Sequence, residues 1–137
     1  MNRKDFQAIA RIRLEEARLL LSSGLYDGAY YLSGYVIECA LKACIARKTR
    51  THDFPDRRTV NDSYTHDLAT LVRVAGLQGE LESEMKVGPA FAVNWGTVKD
   101  WNEESRYVAW SQREAQGLYS AIVDRRHGVL RWLRRHW

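Results

Sequence analysis

The chain has 137 residues, of which 45% are hydrophobic and 28% charged, and a formal net charge of +4 at pH 7. That length fits one domain with its own core, so residues 1–137 are read as a single domain of ordinary globular composition. No apolar run approaches the roughly 20 residues that cross a bilayer, and the opening MNRKDFQAIARIR lacks the apolar stretch of an export signal. The expectation is a cytoplasmic protein with no membrane partner. With Ala, Leu, Arg and Glu abundant, β-branched residues sparse and only two prolines, the composition favours helix.

In chain order, Arg3 to Ser22 places Phe6, Ile9, Ala10, Ala17, Leu20 and Leu21 at helical intervals, and Ser22-Ser23-Gly24 supplies a stop. A second helix is expected from Tyr26-Asp27, with Asp27 as its cap. From Ala29 to Ala46 it is apolar on nearly every side, as the central helix of a bundle is. Glu38 and Lys42, four apart, stand in the favourable order for an ion pair inside that apolar run. Residues 48–65 read as a long polar loop. A short helix is expected over His66–Ala75, capped by Thr65 and stopped by Gly76. The segment Leu77–Trp101 should be helical with a break at Gly88-Pro89. Asn102–Trp110 reads as a connector. Ser111 to Glu114 forms a capping box that opens one last long helix with Ala115, Leu118, Tyr119, Ile122, Val129, Leu130 and Leu133 on one face. The fold class that follows is all-α, a four- to five-helix up-and-down bundle.

Cys39 and Cys44 lie five apart on one helix and face different sides, so they are expected as small buried residues rather than a disulfide or a metal pair. No metal-ligand cluster, phosphate-binding glycine loop or serine elbow occurs, so no metal and no cofactor are expected. Charge is uneven. Residues 124–137 carry Arg125, Arg126, Arg131, Arg134 and Arg135 against Asp124 alone, while Glu80 to Glu104 is predominantly acidic. A basic end of this kind attracts phosphate, neutralises a helix C-terminus or meets an acidic stretch of a second subunit.

The block Gly24 to Ala43, GLYDGAYYLSGYVIECALKA, resembles the second helix of the HEPN helical-bundle family. His66-Asp67-Leu68 is similar to the family's third-helix start, and Trp101 with Arg106-Tyr107 to the approach to its last helix. The resemblance covers residues 3–137. It implies a HEPN-like bundle, commonly a homodimer, encoded in toxin–antitoxin or defence systems beside a nucleotidyltransferase partner. It also implies a nucleotide or RNA ligand. Many members are metal-independent RNases with an Arg followed four to six residues later by a His, a guanidinium for phosphate charge and an imidazole for proton transfer.

Here the chain departs from that pattern, since no His follows Arg106 at the family spacing. Arg131 with His136, and Arg47 with His52, match the spacing elsewhere and are the catalytic candidates. Glu38, Lys42, His66, Arg106 and Tyr107 are candidate ligand-binding residues, and Arg125, Arg126, Arg134 and Arg135 candidate polyanion-binding residues. The first reading is a non-catalytic dimeric module that binds nucleotide, RNA or a nucleotidyltransferase. An RNase toxin with a displaced pair and a purely structural interaction bundle are the alternatives.

Overall fold

A computed structural model of the protein describes residues 1–51 and 56–137, with Arg50 and Thr51 as backbone only. Among the described residues all regular structure is helical: α1 (Arg3–Ser22), α2 (Tyr26–Thr51), α3 (Arg57–Asp62), α4 (Leu68–Val74), α5 (Gln78–Val87), α6 (Pro89–Val98), a 3₁₀ helix (Glu103–Tyr107), α7 (Gln112–Val123) and α8 (Val129–Arg134). No described helix is long and apolar enough to cross a membrane.

The bundle is organised around α2, which packs against α1, α4, α7, α8 and the 3₁₀ helix. Its sequence requires this. Val36 to Leu41 are all buried, so no face is left for water. Apolar residues of every neighbour complete the core, among them Ala10, Leu71, Leu81, Trp95, Leu118 and Leu133. The indole of Trp101 lies directly on Gly34, where a Cβ would collide with its ring. This contact fixes the distance between α2 and the chain entering the 3₁₀ helix. The connector is tied to the start of α2 as well. Trp110 stacks on Tyr30 with ring centroids 3.6 Å apart, and its backbone N–H donates to Asp27 Oδ1 at 2.6 Å.

Several expected boundaries hold. Gly24 and Gly76 take positive φ beyond α1 and α4. Gly88-Pro89 separates α5 from α6, with the proline in the first turn of α6. Ser111 and Glu114 form the expected capping box.

Others need correction. The last helix is not continuous. Asp124 Oδ1 accepts the backbone N–H groups of Arg126 at 3.0 Å and His127 at 2.6 Å, which closes a turn before α8 begins. The expected apolar face is buried on both α7 and α8, and this local side-chain competitor divides it. The polar stretch after Lys48 holds the end of α2 and the whole of α3, whose N-cap Asp56 accepts from Thr59. The cap of α4 is Asp67, which accepts from the Thr70 N–H, and not Thr65. Asp27 sits inside the first turn of α2 and is engaged by Trp110 instead of capping. The connector contains a 3₁₀ turn, and the helices outnumber the expected four or five.

The two ends of the chain meet. The ring of Trp137 lies under the guanidinium groups of Arg11 at 5.1 Å and Arg134 at 5.7 Å, while Arg3 Nη2 donates to its carbonyl. Trp95, Trp101, Trp132 and Trp137 are all buried within one chain. Tyr64 and Tyr107, by contrast, are exposed.

Adding one methyl group at Gly34 forces the Trp101 indole off α2. Gly34→Ala is expected to lower stability by roughly 1–3 kcal/mol, the usual cost of overpacking. Gly79→Ala, on α5 with nothing near the new methyl, leaves stability unchanged or raised. Denaturant midpoints of the two variants check this, and equal midpoints would show that the Trp101 contact does not hold the helices apart.

Candidate functional site

The middle of α2 carries a carboxylate in an apolar wall. Glu38 is 2% exposed, and an ionised carboxylate there is costly unless paired. Lys42 Nζ, one helical turn on, donates to Glu38 Oε1 at 2.9 Å. His66 Nδ1 lies 2.9 Å from the same oxygen, brought there by the chain that leads into α4. An ionised carboxylate only accepts, so Nδ1 carries the hydrogen, and in the neutral ring Nε2 is left with the lone pair. Glu38 Oε2 and the neighbouring element's Trp101 Nε1 are buried without a hydrogen-bond partner among the described residues. The site therefore joins three of the candidate residues, Glu38, Lys42 and His66. His66 is a candidate in its own right, but its contact with Glu38, 28 positions away, has no signature in local spacing.

His66 faces a cleft of about 470 Å³ with Trp101 in its wall, lined also by Asp67, Asp100, Glu103 and Glu104. Lys99 is its one lysine. A half-exposed imidazole oriented by a buried carboxylate can move a proton or hold a hydrogen-bonding ligand. The surrounding carboxylates repel phosphate. Arg106 and Tyr107 stand apart from that cleft. The Arg106 guanidinium lies 4.8 Å from the centre of the Tyr107 ring, and the nearness of the Tyr107 and Tyr31 side chains raises its pKa above the ordinary value. The link to the cleft is aromatic, since Tyr31 stacks on Trp101 at 5.9 Å.

The catalytic candidates are not brought together. Arg131 Nη1 donates to the Arg125 carbonyl and opens on a cavity between α1, α7 and α8. His136 packs against Trp132 at 5.2 Å, lies 3.4 Å from Glu80 and opens on a different cavity beside α5. Burial lowers the His136 pKa below its ordinary 6.5, against the opposing pull of Glu80. Arg47 is near enough to contribute to that lowering. His52, its spaced partner in the sequence, lies outside the described residues.

The basic candidates divide. Arg135 is paired with Glu84 at 3.1 Å. Arg125, Arg131 and Arg134 surround the cavity between α1, α7 and α8, about 300 Å³, over an apolar floor that includes Leu14, Ile122 and Leu130. Among the described residues no carboxylate forms an ion pair with these three. The nearby Asp124 is occupied by the turn's own N–H groups, which also lower its pKa. Arg126 is exposed on the same turn. No group of His, Cys, Asp and Glu among the described residues could hold a metal ion.

Comparison with protein families finds a match to the HEPN domain over residues 4–135. No curated protein and no solved structure gives a significant match.

Two outcomes follow from this geometry. Lys42→Ala is expected to cost about 3 kcal/mol, the low end for breaking a buried pair, because His66 still faces Glu38. The double variant Glu38→Gln/Lys42→Met, which leaves no charge stranded, recovers much of that loss. Chemical denaturation of the wild type and both variants measures it, and a wild-type midpoint in Lys42→Ala would refute a buried pair. The second outcome concerns pH. Because the folded chain holds His136 below 6.5, the unfolded chain takes up that proton first. Stability contributed by the neutral ring is present above this value and is lost as pH falls below it. His136→Gln should flatten the fall in stability between about pH 6.5 and 5, above the range where carboxylates titrate. A parallel slope in both proteins would exclude a buried His136 as its source.

Proposed function

The chain belongs to the HEPN domain family, and from that premise we propose that it is a non-catalytic HEPN-type module that binds RNA or a nucleotide through phosphate. Its setting in this reading is a homodimer, or a complex with a nucleotidyltransferase partner, within a toxin–antitoxin or defence-type system. The observation that carries the reading is the contrast between two sets of side chains. Arg131 and His136 open on separate cavities, so they do not converge on one scissile phosphate. Arg125, Arg131 and Arg134 converge on one cavity with no carboxylate paired to them. Guanidinium groups in that state favour phosphate oxygens strongly. Arg134 is held in place by the Trp137 ring, and Arg131 by a backbone carbonyl, so little side-chain freedom is lost on binding. Self-association is supported by the exposure of Ile12 and Leu19, one above the other on the outer side of α1.

The test is retention and digestion of a single-stranded RNA by the full chain. Binding without cleavage is expected. About three neutralised phosphates give a salt slope near −2, a loss of roughly twentyfold in affinity between 50 and 200 mM salt. Replacing Arg125, Arg131 and Arg134 with Gln should abolish retention, and Arg135→Gln should change it little. Cleavage that disappears in both Arg131→Ala and His136→Ala would replace this reading with that of an RNase toxin. Absence of both retention and cleavage would leave an interaction bundle without nucleic-acid affinity.

A further inference from the structure

A larger cavity, about 540 Å³, lies between the first turn of α1, the second half of α2 and the chain after α3. Its volume falls within the roughly 300–1,000 Å³ typical of small-molecule sites. The wall is mainly apolar, from Phe6, Ile45, Ala46 and the ring of Tyr64. Two cations interrupt it, Arg3 and Lys42. Neither is saturated. Arg3 gives Nη2 to the Trp137 carbonyl, but its Nε–H is buried with no acceptor. Lys42 gives one N–H to Glu38, and an ammonium has two more. No carboxylate forms an ion pair with Arg3 among the described residues, so an anion in the cavity meets a part-buried guanidinium charge that is not yet neutralised.

We propose that this cavity is a binding site for an amphipathic monoanion, a carboxylate on an aliphatic or aromatic body, with the carboxylate between Arg3 and Lys42 and the body along Phe6, Ile45 and Ala46. The charge requirement follows from the two donors, and the apolar body from the remaining wall. A polyphosphate or an RNA strand is disfavoured, since its charges would face that apolar wall and the Glu38 carboxylate behind Lys42. The site is separate from the basic cavity at α8 and does not depend on it.

The test uses the full chain labelled with ¹⁵N and three probes of one length: octanoate, octylamine and 1-octanol. Octanoate is expected to produce saturable amide shifts centred on Phe6, Ile45 and Ala46, and octylamine none at the same concentrations. Ala46→Phe, which fills the cavity, should abolish the shifts while the rest of the spectrum is unchanged. Removing Lys42 alone strands Glu38, so the charge test compares Glu38→Gln with Glu38→Gln/Lys42→Met. The second should bind octanoate at least about fivefold more weakly than the first while binding 1-octanol equally well. The proposal is overturned if octylamine binds as tightly as octanoate, if the shifts lie elsewhere or survive Ala46→Phe, or if octanoate leaves the spectrum unchanged at millimolar concentration.

Discussion

A carboxylate placed in the most enclosed stretch of the chain has to be answered on the spot, and much of this structure can be understood as that answer. Glu38 sits within Val36–Leu41, where no residue reaches solvent. Lys42 comes from the same helix and is available as soon as α2 forms. His66 comes from beyond α3, so its contact with Glu38 decides where the returning chain lands. The apolar residues Leu68, Leu71 and Val72 that follow it are fully buried, but apolar contacts are non-directional and tolerate sliding. A hydrogen bond to one oxygen does not. The polar contact thus fixes the register of α4 on α2, and the apolar contacts supply the energy once it is set.

Charge separates the surface in the same economical way. The cleft beside His66 is lined by Asp67, Asp100, Glu103 and Glu104, whereas the turn between α7 and α8 presents Arg125 and Arg126 with Arg131 and Arg134 behind it. Both regions contain an acid that caps a turn or helix, Asp67 in one and Asp124 in the other. The difference lies in what surrounds them. A phosphate approaching the first meets like charge, and one approaching the second meets guanidinium groups with no carboxylate partner among the described residues. The imidazole at Glu38 and the arginines at α8 are therefore suited to different ligands.

The parts of the fold that were legible in the sequence rest on local rules. The all-round apolar pattern of α2, the Ser111–Glu114 box and the Gly88-Pro89 break each need only a few neighbouring residues, and each appears as read. The break at Asp124 was not legible, because the helical apolar period runs through it. Only the choice of Asp124 to bond the next N–H groups rather than solvent ends α7. The Glu38–Lys42 half of the candidate site was visible from a four-residue spacing and His66 was singled out by itself, but the contact joining His66 to Glu38 and the Trp101–Gly34 contact depend on chain return and were not visible. The Arg131–His136 match illustrates the opposite case. Spacing alone placed them together, yet α8 ends at Arg134 and His136 lies in the turn beyond it, so the two side chains open on different cavities.

Trp137 under Arg11 and Arg134, with its carbonyl held by Arg3, ties α1 to the segment beyond α8 across 134 positions of sequence. A contact of that span closes a long loop, whose entropic cost grows only logarithmically with length. It also comes late in folding, since distant pairings are rewarded only after the loop is closed. The seam between α1 and α8 is therefore where the bundle should open first under stress, because α1 keeps its pairing with α2 when that seam parts.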